Sequence, residues 1–133
     1  MSISQNSLDK LSQCHPDLQR LVRTVAERIG LVVSCGHRGE DEQNRAFSEG
    51  KAKVQFPNSK HNPLPALAVD IEPLKRSTID WNDKVFFYYF AGYVMAVADL
   101  IDIKIRWGGN WNMNDDLHDQ TFFDLPHFEL REG

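Results

Sequence analysis

The chain has 133 residues, 41% of them hydrophobic and 26% charged, so it can bury one core and is neither disordered nor fibrous. Its 15 Lys and Arg are scattered among 19 Asp and Glu, giving a formal charge of −4 with no basic run. Broad nucleic-acid binding needs a concentrated basic face, so no nucleic-acid partner is expected.

Cys14 and Cys35 stand 21 residues apart with no Cys-x-x-Cys pattern. No disulfide framework is implied, and both read as free thiols packed as small hydrophobes, away in sequence from the residues singled out below. Met1 to Asn6 lacks a basic start followed by an apolar core, so no signal peptide is expected and synthesis is placed in the cytosol. No repeat, low-complexity tract or linker divides the sequence, and residues 1–133 are expected to form one domain.

In chain order, Pro16-Asp17 opens a helix whose Leu18, Leu21, Val22, Val25 and Ile29 recur at helical spacing, with Gly30 ending it. Leu31 to Cys35 is a short β-rich run leading into Gly36-His37-Arg38-Gly39. Glu40-Asp41-Glu42 places acids at the start of a second helix running to about Glu49, with Gly50 as its cap. Lys51 to Pro65, dense in Pro, Asn, Ser and Lys, is a long loop. Leu67 to Ile71 is an apolar strand carrying one acid, Asp70, and is stopped at Pro73. Asp80 to Asp83 caps a long helix to about Ile101. Its Val85 to Ala98 core is interrupted by Gly92 and closed by Asp99, too short to span a bilayer. Apolar nearly all round, this helix reads as central, and no stable membrane association is expected. Ile103 to Trp107 alternates as a half-buried strand, Gly108-Gly109-Asn110 breaks it, and an acidic loop, Asn112 to Asp119, leads to a last strand from Pro126 to Leu130. Strands and helices do not alternate as regular βαβ units, so the fold class is α+β.

His61, Asp70 and His127 lie on three separate segments. Two neutral imidazoles and one carboxylate form a zinc set that leaves a fourth position open, as catalytic sites do. Taken one at a time, each has an ordinary reading as a loop histidine, a strand-end acid and a strand residue.

The combined context is more specific. Ser59-Lys60-His61, Ala68-Val69-Asp70 and Asp124-Leu125-Pro126-His127-Phe128-Glu129-Leu130 together resemble zinc peptidases of the D-alanyl-D-alanine peptidase and lysostaphin type, which share their fold with the amino-terminal domain of hedgehog proteins. More narrowly, the chain looks like the L-alanyl-D-glutamate endopeptidases used as phage endolysins. Gly36-His37-Arg38 with Gln43, Ile79-Asp80-Trp81, and Ile105-Arg106-Trp107-Gly108-Gly109-Asn110-Trp111 follow in the same order, so the resemblance runs from His15-Pro16 to Leu130. It implies a small domain with a mostly antiparallel sheet bearing the zinc site and packed against helices. It also implies that His61, Asp70 and His127 hold Zn2+, that Asp124 is the general base, and that Arg38 binds and polarises the scissile carbonyl. Gln43, Ser59 and His37 fall at accessory substrate-binding positions.

Two departures stand out. Asp70 follows His61 by nine residues without an intervening glycine, a longer gap than the family's usual one, and Asn110 replaces the acid of the expected Trp-Gly-Gly-Asp-Trp. The implied partner is bacterial peptidoglycan. The implied setting is host cytoplasm on synthesis, followed by action on the wall after membrane permeabilisation, as a monomer. Rival readings are a D-alanyl-D-alanine carboxypeptidase or dipeptidase and a non-catalytic zinc-bearing binding module.

The chemistry of amide hydrolysis agrees with these roles. Zinc lowers the pKa of bound water to roughly 7, an Asp beside it takes the proton and passes it to the leaving amine, and Arg38 offers fixed donors to the oxyanion, a contribution of about 3 kcal/mol. Positions three apart on a strand point to opposite faces, so Asp124 and His127 can share a site only if Leu125-Pro126 includes a turn or bulge. Asp115, Asp116, His118 and Asp119 do not have EF-hand spacing and read as a solvated loop. Trp81 and Trp107 read as core or rim, Trp111 is left open, and Glu129 is expected to face away from His127 in a structural or supporting role. With a net negative chain, capture of an anionic wall must depend on local cations such as Arg38, Lys60 and Arg106.

Overall fold

The computed structural model describes residues 3–118 and 123–132. Its elements are α1 (Gln5–Leu11), α2 (Pro16–Ala26), β1 (Leu31–Cys35), α3 (Glu40–Ser48), β2 (Ala68–Pro73), α4 (Lys84–Leu100), β3 (Ile105–Gly108) and β4 (Asp124–Leu130). The strands form one antiparallel sheet in the order β1-β2-β4-β3, so the fold is α+β as the sequence leads one to expect.

Local chemistry accounts for the helix ends. Pro16 supplies a preset φ at the start of α2, and the His15 ring accepts the Asp17 N–H at 3.0 Å. The acids Glu40, Asp41 and Glu42 sit in the first turn of α3, where they complement the helix dipole. Asp83 caps α4 by accepting the Phe86 N–H at 3.1 Å. Helix α1 is an addition to the elements expected above, and its cues are slight: a Ser4 hydroxyl accepting the Ser7 N–H and a buried Leu11.

The long helix α4 is less central than its composition suggests. It buries Phe87, Phe90, Ala91, Val94 and Ala98 on one face, while Val85 and Tyr89 are 76% and 63% exposed. It packs on α2 and on three strands. No helix among the described residues is long and apolar enough to cross a membrane.

Strand alternation divides the sheet into two chemically different faces. Leu31, Val33, Val69, Ile71, Ile105, Trp107 and Phe128 point into the hydrophobic core with the helices. The intervening positions, Ser34, Asp70, Glu72, Arg106, His127 and Glu129, stand on the other face. Register then sets neighbours: Asp70 pairs with Cys35 on one side and His127 on the other, and Glu129 pairs with Arg106.

Glu72 on this face is fully buried, accepts the Ser34 hydroxyl at 2.6 Å through Oε2, and has no hydrogen-bond partner for Oε1 among the described residues. Burial, aided by the negative charge of Asp70, pushes its carboxyl up from 4.5 to about 7. Between those values the folded chain keeps a proton that the unfolded chain has lost, so this contribution to stability is full below about pH 4.5 and is lost as pH rises through 7. Glu72→Gln, which mimics the protonated form, is expected to be near neutral at pH 5 and stabilising at pH 8, by on the order of 3 kcal/mol. Thermal melts of the wild type and the variant at both values check this; a stability difference that stays flat with pH would contradict it.

Candidate active site

The polar sheet face supplies Asp70 and His127, and the long connection between β1 and β2 brings Arg38 and His61 over it. That connection is tied down at several points. The Arg38 N–H donates to the His61 carbonyl at 2.8 Å, and the Leu67 N–H donates to the Lys60 carbonyl at 2.8 Å. The His61 N–H donates to the Ser59 hydroxyl at 3.1 Å, while Asn62 donates to the Arg38 carbonyl at 2.9 Å. The nine-residue spacing therefore does not separate the two residues: His61 Nε2 lies 3.1 Å from Asp70 Oδ1.

His127 Nδ1 approaches the same Asp70 oxygen at 3.3 Å, and the two imidazoles meet edge to face with centroids 5.1 Å apart. Asp124 Oδ2 is 3.8 Å from His127 Nδ1. The break in β4 that this proximity requires is present. Trp107 pairs with Phe128 but the next residue, Gly108, pairs with Asp124, so the ladder skips over Leu125 to His127. A Cβ at Gly108 would collide with the Asp124 backbone carbonyl, which is why this approach needs glycine.

The imidazoles are oriented from behind. The Gly36 carbonyl, 2.8 Å from His61 Nδ1, can only accept, which places a proton on Nδ1 and turns Nε2 toward Asp70, where it holds a second proton or, with that proton gone, presents a lone pair. Glu129 Oε1 does the same for His127 Nε2 at 2.8 Å, leaving Nδ1 facing Asp70 and Asp124. Glu129 thus shares a face with His127 rather than facing away, because strand positions two apart point the same way. Lone pairs and carboxylates converging on one point leave a place for a cation. The protein's own charges say the same. Burial disfavours a charged His61, yet the Asp70 carboxylate outweighs it and raises the imidazolium pKa to about 10. Asp70, despite burial, is held far below the usual carboxylate range by His61 and His127. Burial and the charge of Asp70 together raise Asp124, against the opposing pull of His127, His61 and Arg38.

Two candidate ligand groups share Asp70: Cys35 with His61 and Asp70, and Asp70 with Asp124 and His127, the ligand atoms within each lying no more than 4.8 Å apart. Cys35 is therefore part of the neighbourhood, its Sγ 3.7 Å from His61 Nδ1, although it is remote in sequence. Cys14 is buried as a small hydrophobe, as expected.

The remaining candidates divide. The Arg38 guanidinium lies 3.7 Å from Asp70 Oδ2 and donates to Gln43 Oε1 at 3.2 Å. Gln43 is itself fully buried, donates to the Val54 carbonyl at 2.8 Å and accepts from Asn62, so it holds Arg38 and the loop in place. Ser59 lines the cleft, while the His37 ring lies 3.2 Å from the Asn62 carbonyl and is not part of the cleft lining. The cleft, about 740 Å³, is walled by Lys53, Lys60, Trp81, Arg106 and Trp111 around the His–Asp cluster. Trp107 is core, the 57% exposed Trp81 is rim, and Trp111 leans on His127 with centroids 5.3 Å apart. Asn110 is outside the cleft lining; its amide donates to Asp115 at 3.0 Å, which an aspartate there could not do. Of the acidic loop, Asp115, Asp116 and His118 carry local turn hydrogen bonds, and Asp119 lies outside the described residues.

For a metal held at His127, Glu129→Gln is expected to weaken binding by roughly 10- to 100-fold, the usual consequence of disturbing a carboxylate behind a ligating histidine. Chelator competition measures this; an unchanged affinity would exclude the orienting role.

Residues 1–131 match the family of phage L-alanyl-D-glutamate peptidases. The L-alanyl-D-glutamate peptidase of Escherichia phage T5 is 28% identical over 131 residues, 95% of each chain. The crystal structure of the Serratia marcescens L-Ala D-Glu endopeptidase ChiX matches with a TM-score of 0.78 and 26% identity, covering 98% of this chain and 90% of that one. With sequence and fold agreeing over nearly its whole length, the chain belongs to the phage L-alanyl-D-glutamate peptidase family.

Proposed function

We propose that the protein, as one catalytic domain over residues 1–133, is a zinc endopeptidase. It hydrolyses the amide between L-Ala and D-Glu in peptidoglycan stem peptides, acting as a monomer in phage or prophage lysis. In this reading it is made in the host cytoplasm and reaches the wall after membrane permeabilisation. The observation that carries the reading is the convergence of His61 Nε2, Asp70 Oδ1 and His127 Nδ1 beside Asp124 and Arg38 in one cleft.

His61, Asp70 and His127 would hold the ion. The two imidazoles and one carboxylate suit zinc with an open position. Bound there, zinc supplies Lewis acidity and makes water a competent nucleophile near neutral pH. Asp124 accepts the proton at its carboxylate and returns it to the departing amine, and its burial moves its pKa toward the range this shuttle needs. Arg38, held by Gln43, presents fixed N–H donors to the carbonyl oxygen as negative charge develops there. Glu129 and the Gly36 carbonyl keep both imidazoles in the tautomers that face the ion.

The test is digestion of purified peptidoglycan by zinc-loaded protein, with mass spectrometry of the fragments. The expected products carry new amino termini on D-Glu and new carboxyl ends on L-Ala. Released D-Ala would identify a carboxypeptidase instead, and untouched peptidoglycan across several pH values would leave only a binding module.

A further inference from the structure

The cleft wall beside His127 holds more positive charge than its one carboxylate balances. Glu129 is buried, and its Oε2 accepts from Arg106 Nη2 at 2.8 Å and lies 3.4 Å from Lys60 Nζ. One carboxylate between two cations leaves a net charge of +1 on this wall, in a chain whose total is −4. Two other cations of the cleft are placed differently. Arg38 faces Asp70 at the reacting centre, and Lys51 pairs with Glu49 at an exposed position.

The geometry of the pair is that of a receiving site. Lys60 directly precedes His61, so its position is fixed by the same backbone that carries the imidazole. Its ammonium contacts the Leu130 carbonyl at 2.5 Å and Glu129, which occupies two of its three N–H donors among the described residues. Arg106 stands behind it, held by the Trp111 carbonyl at 3.3 Å and lying 5.3 Å from the Trp111 ring centroid. Its Nε is buried with no hydrogen-bond partner among the described residues.

We infer that Lys60, supported by Arg106, receives a substrate carboxylate that takes no part in hydrolysis, making the cleft selective for an acidic residue beside the scissile amide. This rests on the reading of the scissile bond given above. A glutamate whose nitrogen forms the cleaved amide has two carboxyl groups; the chain continues through one, and the other is free and anionic unless amidated.

The experiment uses the full chain loaded with zinc and two synthetic peptides that contain L-Ala-D-Glu, identical except that the free carboxylate of one is an amide in the other. The wild type is expected to prefer the carboxylate peptide by about 10- to 100-fold in kcat/KM, the range of a hydrogen bond to a charged group. Lys60→Met brings that ratio close to one, chiefly through a higher KM for the carboxylate peptide, and Lys60→Arg restores it. Zinc content measured in parallel separates this effect from loss of the fold. No preference in the wild type, or a ratio unchanged in Lys60→Met at full zinc content, overturns the inference. Cleavage of neither peptide by the wild type overturns the reading of the scissile bond, and this inference with it.

Discussion

Asp124→Asn is expected to lower kcat on peptidoglycan by about 10²- to 10⁴-fold, the usual contribution of a positioned acid–base group. The substitution keeps the side chain's shape but removes its capacity to take a proton. In the proposed reading Asp124 is the carboxylate left for that work. Asp70 faces two imidazoles at 3.1 and 3.3 Å, and Glu129 is committed to His127, Arg106 and Lys60. Asp124 is only partly buried and touches the cluster through a single 3.8 Å approach. Its carboxyl is raised while that of Asp70 is depressed, which agrees with the proposed division of the two acids between moving a proton and holding a cation. Steady-state kinetics with zinc analysis on the same samples checks the prediction. A near-wild-type kcat at full zinc content would assign the proton to another group.

Treatment with a chelator is expected to abolish hydrolysis and lower the melting temperature, and added zinc to restore both. An ion present at a thousand times its dissociation constant stabilises the fold by about 4 kcal/mol. For a chain of this size that corresponds to roughly 10 to 20 °C. His127→Ala has the same consequence without a chelator. It removes one imidazole from Asp70 and strips Glu129 of one of its two partners at 2.8 Å, leaving it to Arg106 and Lys60. Scanning calorimetry with and without zinc measures the shift. Equal melting temperatures in the two states, with activity retained, would contradict a role for the metal.

The sheet was the most legible part of the fold in the sequence, because one of its faces meets a core and the other does not. Alternation in Ile105-Arg106-Trp107 and a lone acid in Ala68-Val69-Asp70-Ile71 both record that division. The need for a break between Asp124 and His127 was also readable, since a plain strand cannot turn both inward, and the skipped register opposite Gly108 supplies it. Other features depended on contacts that no local pattern records. Cys35 reaches His61 because β1 and β2 pair in a register that sets Cys35 opposite Asp70. Gln43 sits on a short polar helix, and nothing in its surroundings signals that it is fully buried beneath Arg38. The exposed face of α4 is hidden from a hydropathy reading because the helix is apolar on both sides while the fold covers only one. Glu129 was readable, since a spacing of two along a strand places it beside His127.

In the proposed reading, the peptidase chemistry turns on one cation held between His61, Asp70 and His127, within reach of Asp124. Anomalous X-ray scattering at the zinc edge, on crystals of the zinc-loaded protein, locates that ion directly. The expected result is a single peak bonded to His61 Nε2, an Asp70 oxygen and His127 Nδ1 at about 2.0 to 2.2 Å. A peak bonded to Cys35 Sγ in place of His127, or no peak in this cleft, would contradict it.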